Sequence, residues 1–228
     1  MCIFKLLCRT LVLSAVVVAM SVGLMGCPDT PLEPEPDVPI VNNPNTFTDS
    51  RDGKKYRSVN IGKQTWMAEN LNYVTGESWC YENSPDSCAK YGRLYLWEKA
   101  LSVCPNGWHL PYSDEWDSLA QTVGGTLSPN SEVEHSWLGT GKKLKFGSGW
   151  RDDGNGTDIY GFSAMPGGSF NRMSDNFYDN GKYGVWWTAT DVDESSAYYW
   201  ILWYFNDDLG KTIYRKNDGR SVRCVKDK

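Results

Sequence analysis

Histidine is scarce in this 228-residue chain, and its lysines and arginines form no cluster. His109 and His135 are the only imidazoles. His109 lies inside a Gly-Trp-His-Leu-Pro turn, where we expect it to bond backbone groups rather than ligate a metal. Acidic residues outnumber basic ones, 28 to 23. Because phosphate binding needs clustered lysine and arginine, this charge pattern excludes nucleic acid as a partner.

Sequence patterns typical of catalytic sites are also missing. The chain has no Gly-x-Ser-x-Gly segment, which carries the nucleophile of many hydrolases. No two cysteines have the C-x2-C spacing that a four-thiolate zinc site favours. Since no complete catalytic constellation remains, we expect a protein that is not an enzyme and that needs no organic cofactor.

An apolar run at the start of the chain is short for a membrane span. It covers residues 10–25 and follows two basic residues, whereas a span needs about 20 apolar residues. This plan is typical of a secretory signal. The segment Leu24-Met-Gly-Cys27 at its end resembles a bacterial lipobox. We therefore predict a signal peptide over residues 1–26, with acylation of Cys27 and the membrane as a partner through this lipid anchor; an ordinary cleaved signal is the alternative.

The segment after the predicted cleavage point has the composition of a tether. Residues 28–45 hold six of the eleven prolines, four acidic residues and no basic one. Such a stretch favours extended conformations and cannot bury a core. We predict an acylated tether over residues 27–45 and a single domain over residues 46–228. The protein is then expected in the cell envelope, at the outer membrane or cell surface rather than the inner membrane.

Four cysteines remain in the predicted domain. An even number of cysteines in an exported chain predicts two disulfides, with three possible connectivities. We expect a local bridge, Cys80–Cys88, and a long one, Cys104–Cys224, which closes most of the domain. On chain entropy the longer loop stabilises the fold more.

Turn residues and side-chain periodicity predict an α+β domain. Asp52-Gly53 and Gly62-Lys63 bound a hairpin of strands 54–61 and 64–71. Two helices are expected, a short one over 97–103 and a better one beginning at Ser113 as N-cap. In the middle of the predicted domain, where regular patterns are scarce, only residues 159–165 have the pattern of a strand. Further strands are predicted over 185–190, 197–206, 211–216 and 220–226, the last three as an antiparallel meander.

Several motifs then resemble one known family, in the right order over nearly all of residues 47–227. They are Gln64-Thr-Trp-Met-Ala-Glu-Asn-Leu71, Tyr91-Gly-Arg-Leu-Tyr95, Cys104-Pro-Asn-Gly-Trp-His-Leu-Pro111, Gly161-Phe-Ser-Ala164, Trp187-Thr-Ala-Thr190 and Ser221-Val-Arg-Cys-Val225. The chain is similar to the Fibrobacter succinogenes major paralogous domain. That resemblance implies a C-type-lectin-like or formylglycine-generating-enzyme-like fold with two short helices, twisted antiparallel sheets and long irregular loops. It implies no reaction, because the family carries no assigned activity.

The formylglycine-generating relatives need reactive cysteines near the C-terminal end. Cys224 is the only candidate there, and we assign it to a disulfide. A divergent oxidase is therefore only a remote alternative.

Calcium is the one metal that the sequence offers a place for. Asp153, Asn155 and Asp158 supply oxygen ligands within a glycine-rich loop, as calcium prefers. The EF-hand pattern fails, however, because Asp158 occupies the position that requires glycine. Asp and Asn in such loops are commonly turn formers, so both interpretations stay open.

Aromatic residues are dense on the predicted strand 197–206. Its two faces are both apolar, with Tyr199, Ile201, Trp203 and Phe205 on one and Tyr198, Trp200, Leu202 and Tyr204 on the other. The simplest interpretation is a central strand buried on both sides. The alternative is a stacking surface for a glycan or an envelope protein, formed by Tyr198, Trp200, Tyr204 and Trp186. We predict a binding module, with a purely structural or assembly lipoprotein as the alternative.

Overall fold

The computed structural model describes residues 45–129 and 135–228. The predicted signal peptide, Cys27 and nearly all of the tether lie outside the described residues, so these predictions stay untested. Among the helices of the described ranges, none combines the length and the apolar character that crossing a membrane requires.

The described residues form fifteen short strands, four α-helices and one 3-10 turn over Tyr81–Asn83. The helices are α1 (Pro85–Tyr91), α2 (Trp97–Ala100), α3 (Ser113–Thr122) and α4 (Gly141–Leu144). The strands are β1 (Asn45–Thr48), β2 (Lys55–Ile61), β3 (Gln64–Met67), β4 (Ser78–Trp79), β5 (Leu94–Tyr95), β6 (Trp108–His109), β7 (Thr126–Leu127), β8 (His135–Leu138), β9 (Ser169–Asn171), β10 (Asn176–Tyr178), β11 (Tyr183–Asp191), β12 (Ser196–Trp203), β13 (Leu209–Arg215), β14 (Arg220–Ser221) and β15 (Val225–Lys226).

Three sheets organise these strands. The largest has eight strands in the order β4-β5-β14-β11-β12-β13-β8-β7, and its long members β11, β12 and β13 are antiparallel neighbours. A five-stranded sheet in the order β1-β2-β3-β15-β6 holds the first and last strands of the domain, while β9 and β10 form a separate hairpin. The α+β class with predominantly antiparallel pairing is confirmed, although β14 pairs with β11 in parallel.

The C-terminal segment differs from the predicted meander. Strand β13 is followed by β14, which pairs with β11 and β5, whereas β15 joins β3 and β6 in the other sheet. Residues 220–226 thus link the two sheets rather than extending one. Alternation is preserved along this segment: Cys224 and Val222 pack in one core cluster and Val225 in the other. The alternation of residues correctly predicted which side chains of this segment share a face. It did not predict the neighbouring strands, because those come from distant parts of the sequence.

The helices are more numerous than the two predicted. Helices α1 and α4 were missed because each is short and has little apolar periodicity. Helix α3 is confirmed, but Tyr112 and not Ser113 occupies the N-cap position. The Glu115 carboxylate accepts a hydrogen bond from the Tyr112 backbone N–H at 3.0 Å, while the Ser113 hydroxyl lies 3.3 Å from that of Thr188. The predicted strand over 159–165 was wrong, since only an isolated bridge joins Ala164 to Lys145.

Two aromatic-rich clusters form the core on opposite faces of β11. One contains Trp186, Trp200 and Trp116, and the other contains Trp187 and Cys224. Because neighbouring residues of a strand point to opposite faces, the pair Trp186-Trp187 contributes one indole ring to each. Both predicted disulfides, Cys80–Cys88 and Cys104–Cys224, are present. The longer one joins the segment before β6 to the segment between β14 and β15.

Candidate functional site: a tyrosine-lined cleft

A cavity of about 360 Å³ opens on one face of the largest sheet. We call it the tyrosine cleft. Strands β11, β12 and β13 form one side of it, and the β9–β10 hairpin and the turn before β14 form the other. Its lining residues are Gly168, Ser169, Asn171, Tyr178, Asp179, Tyr183, Val185, Tyr199, Ile201, Tyr214, Asp218 and Arg220.

Strand alternation explains why the sheet presents tyrosines here. Tyr183 and Val185 alternate with the buried Trp186 on β11, and Tyr199 and Ile201 alternate with the buried Trp200 on β12. Val185 lies directly opposite Ile201 in the register. Trp186 and Trp200 therefore fill the core on one face, while Tyr183, Tyr199 and the aliphatic Val185 and Ile201 on the other face line the cleft.

The opposite wall is held by close backbone packing. Phe170 of β9 and Gly219 exchange two backbone hydrogen bonds of 2.9 and 2.8 Å, which fix the hairpin beside the turn before β14. Gly168 has a φ of +68°, and a Cβ atom there would collide with the carbonyl oxygen of Tyr178. Glycine is required at this position, both for its backbone conformation and for the close approach of the hairpin.

The guanidinium group of Arg220 lies in a cage of three aromatic rings. Its carbon is 4.0 Å from the ring centroid of Tyr199, 4.4 Å from that of Tyr214 and 4.9 Å from that of Trp187. Cation–π contacts of this kind orient and stabilise a desolvated cation. Burial lowers the pKa of Arg220, against smaller opposing effects of Tyr199 and Asp218. The cage holds the group in one position.

Within residues 45–129 and 135–228, the Arg220 side chain has no hydrogen-bond or ion-pair partner. The residue is 4% exposed, and its Nε is buried with no hydrogen-bond acceptor within the described part of the chain. No carboxylate among the described residues approaches the guanidinium within 4.0 Å, so no ion pair forms. Buried polar groups are nearly always bonded, and an unbonded one calls for a specific explanation. Because Arg220 also lines the cavity, its unbonded donor makes the tyrosine cleft a candidate binding site.

Acids and phenols complete the polar lining. Asp218 is buried and its Oδ1 accepts a hydrogen bond from the Arg172 backbone N–H at 3.3 Å; Asp179 lies 4.0 Å from Lys182. Burial raises the pKa of both Tyr199 and Tyr183, and a phenol is in any case protonated at neutral pH, so both can donate a hydrogen bond. Flat rings beside hydrogen-bond donors and acceptors suit a ligand with an apolar face and a polar edge, such as a sugar ring.

A second cavity of about 360 Å³, the basic cavity, lies between β2 and α1. Most of its cationic groups already have protein partners. Lys54 donates to the Asn72 carbonyl oxygen, Arg57 pairs with Glu69 at 2.9 Å, and Arg223 is bonded on all three of its nitrogens. A ligand that paired with Lys54, Arg57 or Arg223 would have to break these bonds, and the other two cations of the lining, Lys55 and Lys90, are exposed. The tyrosine cleft offers a buried cation with no hydrogen bond to break and is therefore the stronger candidate site.

The four aromatic residues predicted to bind a ligand do not form a common surface. Trp186 and Trp200 are fully buried in the core, with ring centroids 5.9 and 6.0 Å from that of Trp116 on α3, and their predicted ligand role stays a prediction. Tyr198 is partly buried with Lys211 over its ring at 4.9 Å, and Tyr204 packs against the core. Neither tyrosine lines the tyrosine cleft or the basic cavity, and their ligand roles stay predictions.

Two of the three predicted calcium residues, Asn155 and Asp158, are bonded within their own loop. The Asn155 Oδ1 accepts the Trp150 backbone N–H at 3.0 Å, and the Asp158 carboxylate accepts both the backbone N–H and the hydroxyl of Ser163, each at 2.7 Å. Asp153 is exposed. Among the residues that the structure describes, no three His, Cys, Asp or Glu side chains are grouped as a metal site. Asn155 and Asp158 act here as turn formers, and calcium binding stays a prediction.

His109 bonds carboxylates, not the backbone groups that the sequence led us to expect. Its Nδ1 lies 2.6 Å from Asp227 and its Nε2 lies 2.9 Å from Glu115. Burial lowers the pKa of His109, but the hydrogen bonds with Asp227 and Glu115 together outweigh it, and the pKa is raised. The imidazole thereby joins the C-terminal segment to the first turn of α3, which is a structural role.

Sequence reasoning missed the tyrosines of the cleft and Arg220. Alternation correctly placed Tyr199 and Ile201 on one face of a strand, but both faces are apolar and either could have been the buried one. Arg220 directly precedes the motif that begins at Ser221, yet nothing in the local pattern indicates an aromatic cage. The cage rings come from β11, β12 and β13, so only their pairing reveals it.

Comparison with known proteins supports the resemblance seen in the motifs. No curated protein and no solved structure gives a match. The family model described as the Fibrobacter succinogenes major domain matches residues 59–226, which include the tyrosine cleft and both disulfides. This match covers well over half of the chain, and the protein therefore belongs to the Fibrobacter succinogenes major domain family.

Proposed function

We propose that the protein is a cell-envelope lipoprotein whose domain is a non-catalytic binding module, and that its tyrosine cleft binds a glycan. The observation that carries the proposal is the cleft itself. Its volume of about 360 Å³ falls in the range of small-ligand sites, and four tyrosines line it together with a buried arginine and two aspartates.

The chemistry of these side chains supports a sugar ligand. A pyranose ring has an apolar face that can lie on Tyr183 or Tyr178, and its hydroxyls can donate to the carboxylates of Asp179 and Asp218. The phenol of Tyr199 can donate in return. Affinity would come from a few stacked rings and hydrogen bonds, as expected for a reversible binding module rather than an enzyme.

The lipid anchor rests on the sequence of the N-terminal segment. Leu24-Met-Gly-Cys27 after an apolar run supports acylation of Cys27, and the proline-rich segment that follows supports a spacer between bilayer and domain. An outer-membrane or cell-surface location would expose the cleft to polysaccharide.

The proposal of a non-catalytic role is supported by the state of the cysteines. A formylglycine-generating oxidase needs reactive thiols, whereas Cys224 is fully buried and bonded to Cys104. The structural or assembly alternative is favoured by one observation. Much of the aromatic content, including Trp186 and Trp200, lies in the core.

Binding measurements on cleft variants test the proposal. Tyr178→Ala and Tyr183→Ala each remove a ring that lines the cleft, and Tyr112→Ala removes an exposed tyrosine outside it. We expect the wild type to bind soluble oligosaccharides in calorimetry or insoluble cellulose in pull-down. Loss of one stacking ring costs about 1 kcal/mol, roughly a fivefold rise in Kd, while Tyr112→Ala binds like the wild type. Absence of glycan binding by the wild type would favour the structural alternative.

A further inference from the structure

Arg220 has a feature that the glycan proposal alone does not explain. Sugar hydroxyls are neutral and could be bound by the tyrosines and aspartates of the cleft. A buried cation is not needed for that purpose, and it is costly, because removing a guanidinium from water without an ion-pair partner leaves its charge only partly compensated, by Asp218 and Asp179 at longer range. The aromatic cage offsets part of this cost, but it supplies no hydrogen-bond acceptor.

The geometry of the cage leaves the polar edge of the guanidinium for a ligand. Tyr199, Tyr214 and Trp187 contact the group through their rings, so none of these contacts uses its N–H donors. The residue is nevertheless part of the cleft lining. A planar guanidinium with free N–H groups matches a carboxylate, which can accept two parallel hydrogen bonds from it.

We infer that Arg220 selects a carboxylate-bearing sugar, a uronic acid, as the ligand of the tyrosine cleft; this inference rests on the proposed glycan-binding function. The carboxylate pairs with Arg220, and the pyranose ring lies along the tyrosines. Recognition is non-covalent throughout.

The acids of the cleft set the orientation of this ligand. Asp218 and Asp179 repel a carboxylate but accept hydrogen bonds from hydroxyls, so they favour the hydroxyl edge of the sugar on their side. The charge of Asp179 is partly offset by Lys182 at 4.0 Å. One cation and two acids in a single cleft thus distinguish the two ends of a uronic acid, whereas they give a neutral sugar no such preference.

Matched ligands test the inference on the unaltered protein. Methyl galacturonoside, the methyl ester of its carboxyl group and methyl galactoside share the same ring configuration, and only the first carries a charge. We expect calorimetry at pH 7 to give a Kd at least tenfold lower for the acid than for either neutral sugar. Equal affinity for the three sugars would overturn the inference and leave the glycan-binding function standing. Binding of none of them, nor of any other glycan, would overturn both.

Two variants add an independent readout. Arg220→Lys keeps a charge but loses the planar pair of donors, and Arg220→Met keeps the bulk and loses the charge. We expect Arg220→Met to abolish the preference for the acid while neutral sugars still bind, and Arg220→Lys to retain only part of it. Circular dichroism confirms that each variant is folded. A folded Arg220→Met protein that still prefers the acid would contradict the assignment.

Discussion

The side-chain oxygen of Asn70 accepts two hydrogen bonds from Arg223, one from Nε at 3.1 Å and one from Nη2 at 2.7 Å. The same oxygen accepts the indole N–H of Trp186 at 2.8 Å. Arg223 is fully buried, and its remaining donors reach the carbonyl oxygens of Phe162 and Ser163. Neutral oxygens therefore satisfy this cation, and burial lowers the pKa of Arg223 to about 9.

This contact joins two of the motifs that identify the family. Asn70 belongs to the segment after β3, and Arg223 lies 153 residues later in the last motif. Arg223 and Arg220 are both buried, but they differ in one respect: every nitrogen of Arg223 has an acceptor, whereas the Nε of Arg220 has none in the described structure. Arg223 joins distant parts of the fold, and Arg220 is the arginine that we propose for the ligand.

Removing the Asn70 side chain should destabilise the domain strongly. Asn70→Ala leaves buried N–H groups of Arg223 and the indole N–H of Trp186 without acceptors, and we expect a loss of about 3–5 kcal/mol in the free energy of unfolding. Asn217→Ala, at an exposed turn position, should change it by less than about 0.5 kcal/mol. Urea denaturation followed by tryptophan fluorescence measures both. Similar stabilities for the two variants would show that Arg223 finds other acceptors.

The two disulfides should contribute unequally. Cys104–Cys224 closes a loop with a sequence separation of 120, and Cys80–Cys88 closes one of only 8. In the chain-entropy model, replacing both cysteines of the longer bridge by alanine costs about 5 kcal/mol, and the same change at the shorter bridge costs about 2.5 kcal/mol. Thermal or chemical denaturation of the two double variants shows which one loses more stability. A greater loss at the shorter bridge would contradict the entropic account.

The His109 contacts predict a pH dependence with a defined sign. Because the pKa of His109 is raised in the folded state, the protonated imidazole stabilises the fold fully below the unfolded pKa of about 6.5, and this stabilisation is lost as the pH rises through the folded pKa. An NMR titration should place the midpoint of His109 above 6.5. In Asp227→Asn the midpoint should fall, since one acceptor loses its charge. A midpoint that does not move would exclude Asp227 as a cause.

Acylation of Cys27 predicts the location of the mature protein. Cys27→Ala removes the attachment point of the lipid, so we expect the protein to move from the membrane fraction to the soluble fraction. Fractionation with immunoblotting measures this, and Cys2→Ala, within the predicted signal peptide, serves as the matched cysteine control. A Cys27→Ala protein that remained with the membrane would refute the lipoprotein proposal.

Local chemistry allowed several elements to be predicted. Asp52-Gly53 and Gly62-Lys63 are strong turn signals, and β2 and β3 begin where they indicate, although β3 ends at Met67 rather than at the predicted residue 71. Helix α3 follows from its apolar periodicity and acidic first turn. Each of these elements depends on residues close together in the chain, which is why sequence patterns identify them.

The candidate site could not be predicted in the same way. The period of two along β12 groups Tyr199 with Ile201 and Trp200 with Leu202, but it does not indicate which group faces the core when both are apolar. The sequence therefore left both interpretations of this strand open. The choice depends on α3, whose Trp116 packs on Trp200, and this contact is distant in sequence.

By itself the sequence determined the family, the α+β class, the main hairpin, helix α3 and the number of disulfides, whose pairing the tertiary structure confirms. These follow from turn residues, side-chain periodicity, the number of cysteines and the order of the motifs. Each of these signals can be recognised in the sequence without knowledge of tertiary contacts. Only the tertiary structure decided where residues 220–226 pair, which aromatic face is buried, and that Arg220 lies in a ring cage. The physical reason is that each of these depends on strands brought side by side from distant parts of the chain, where packing rather than local preference selects the partner.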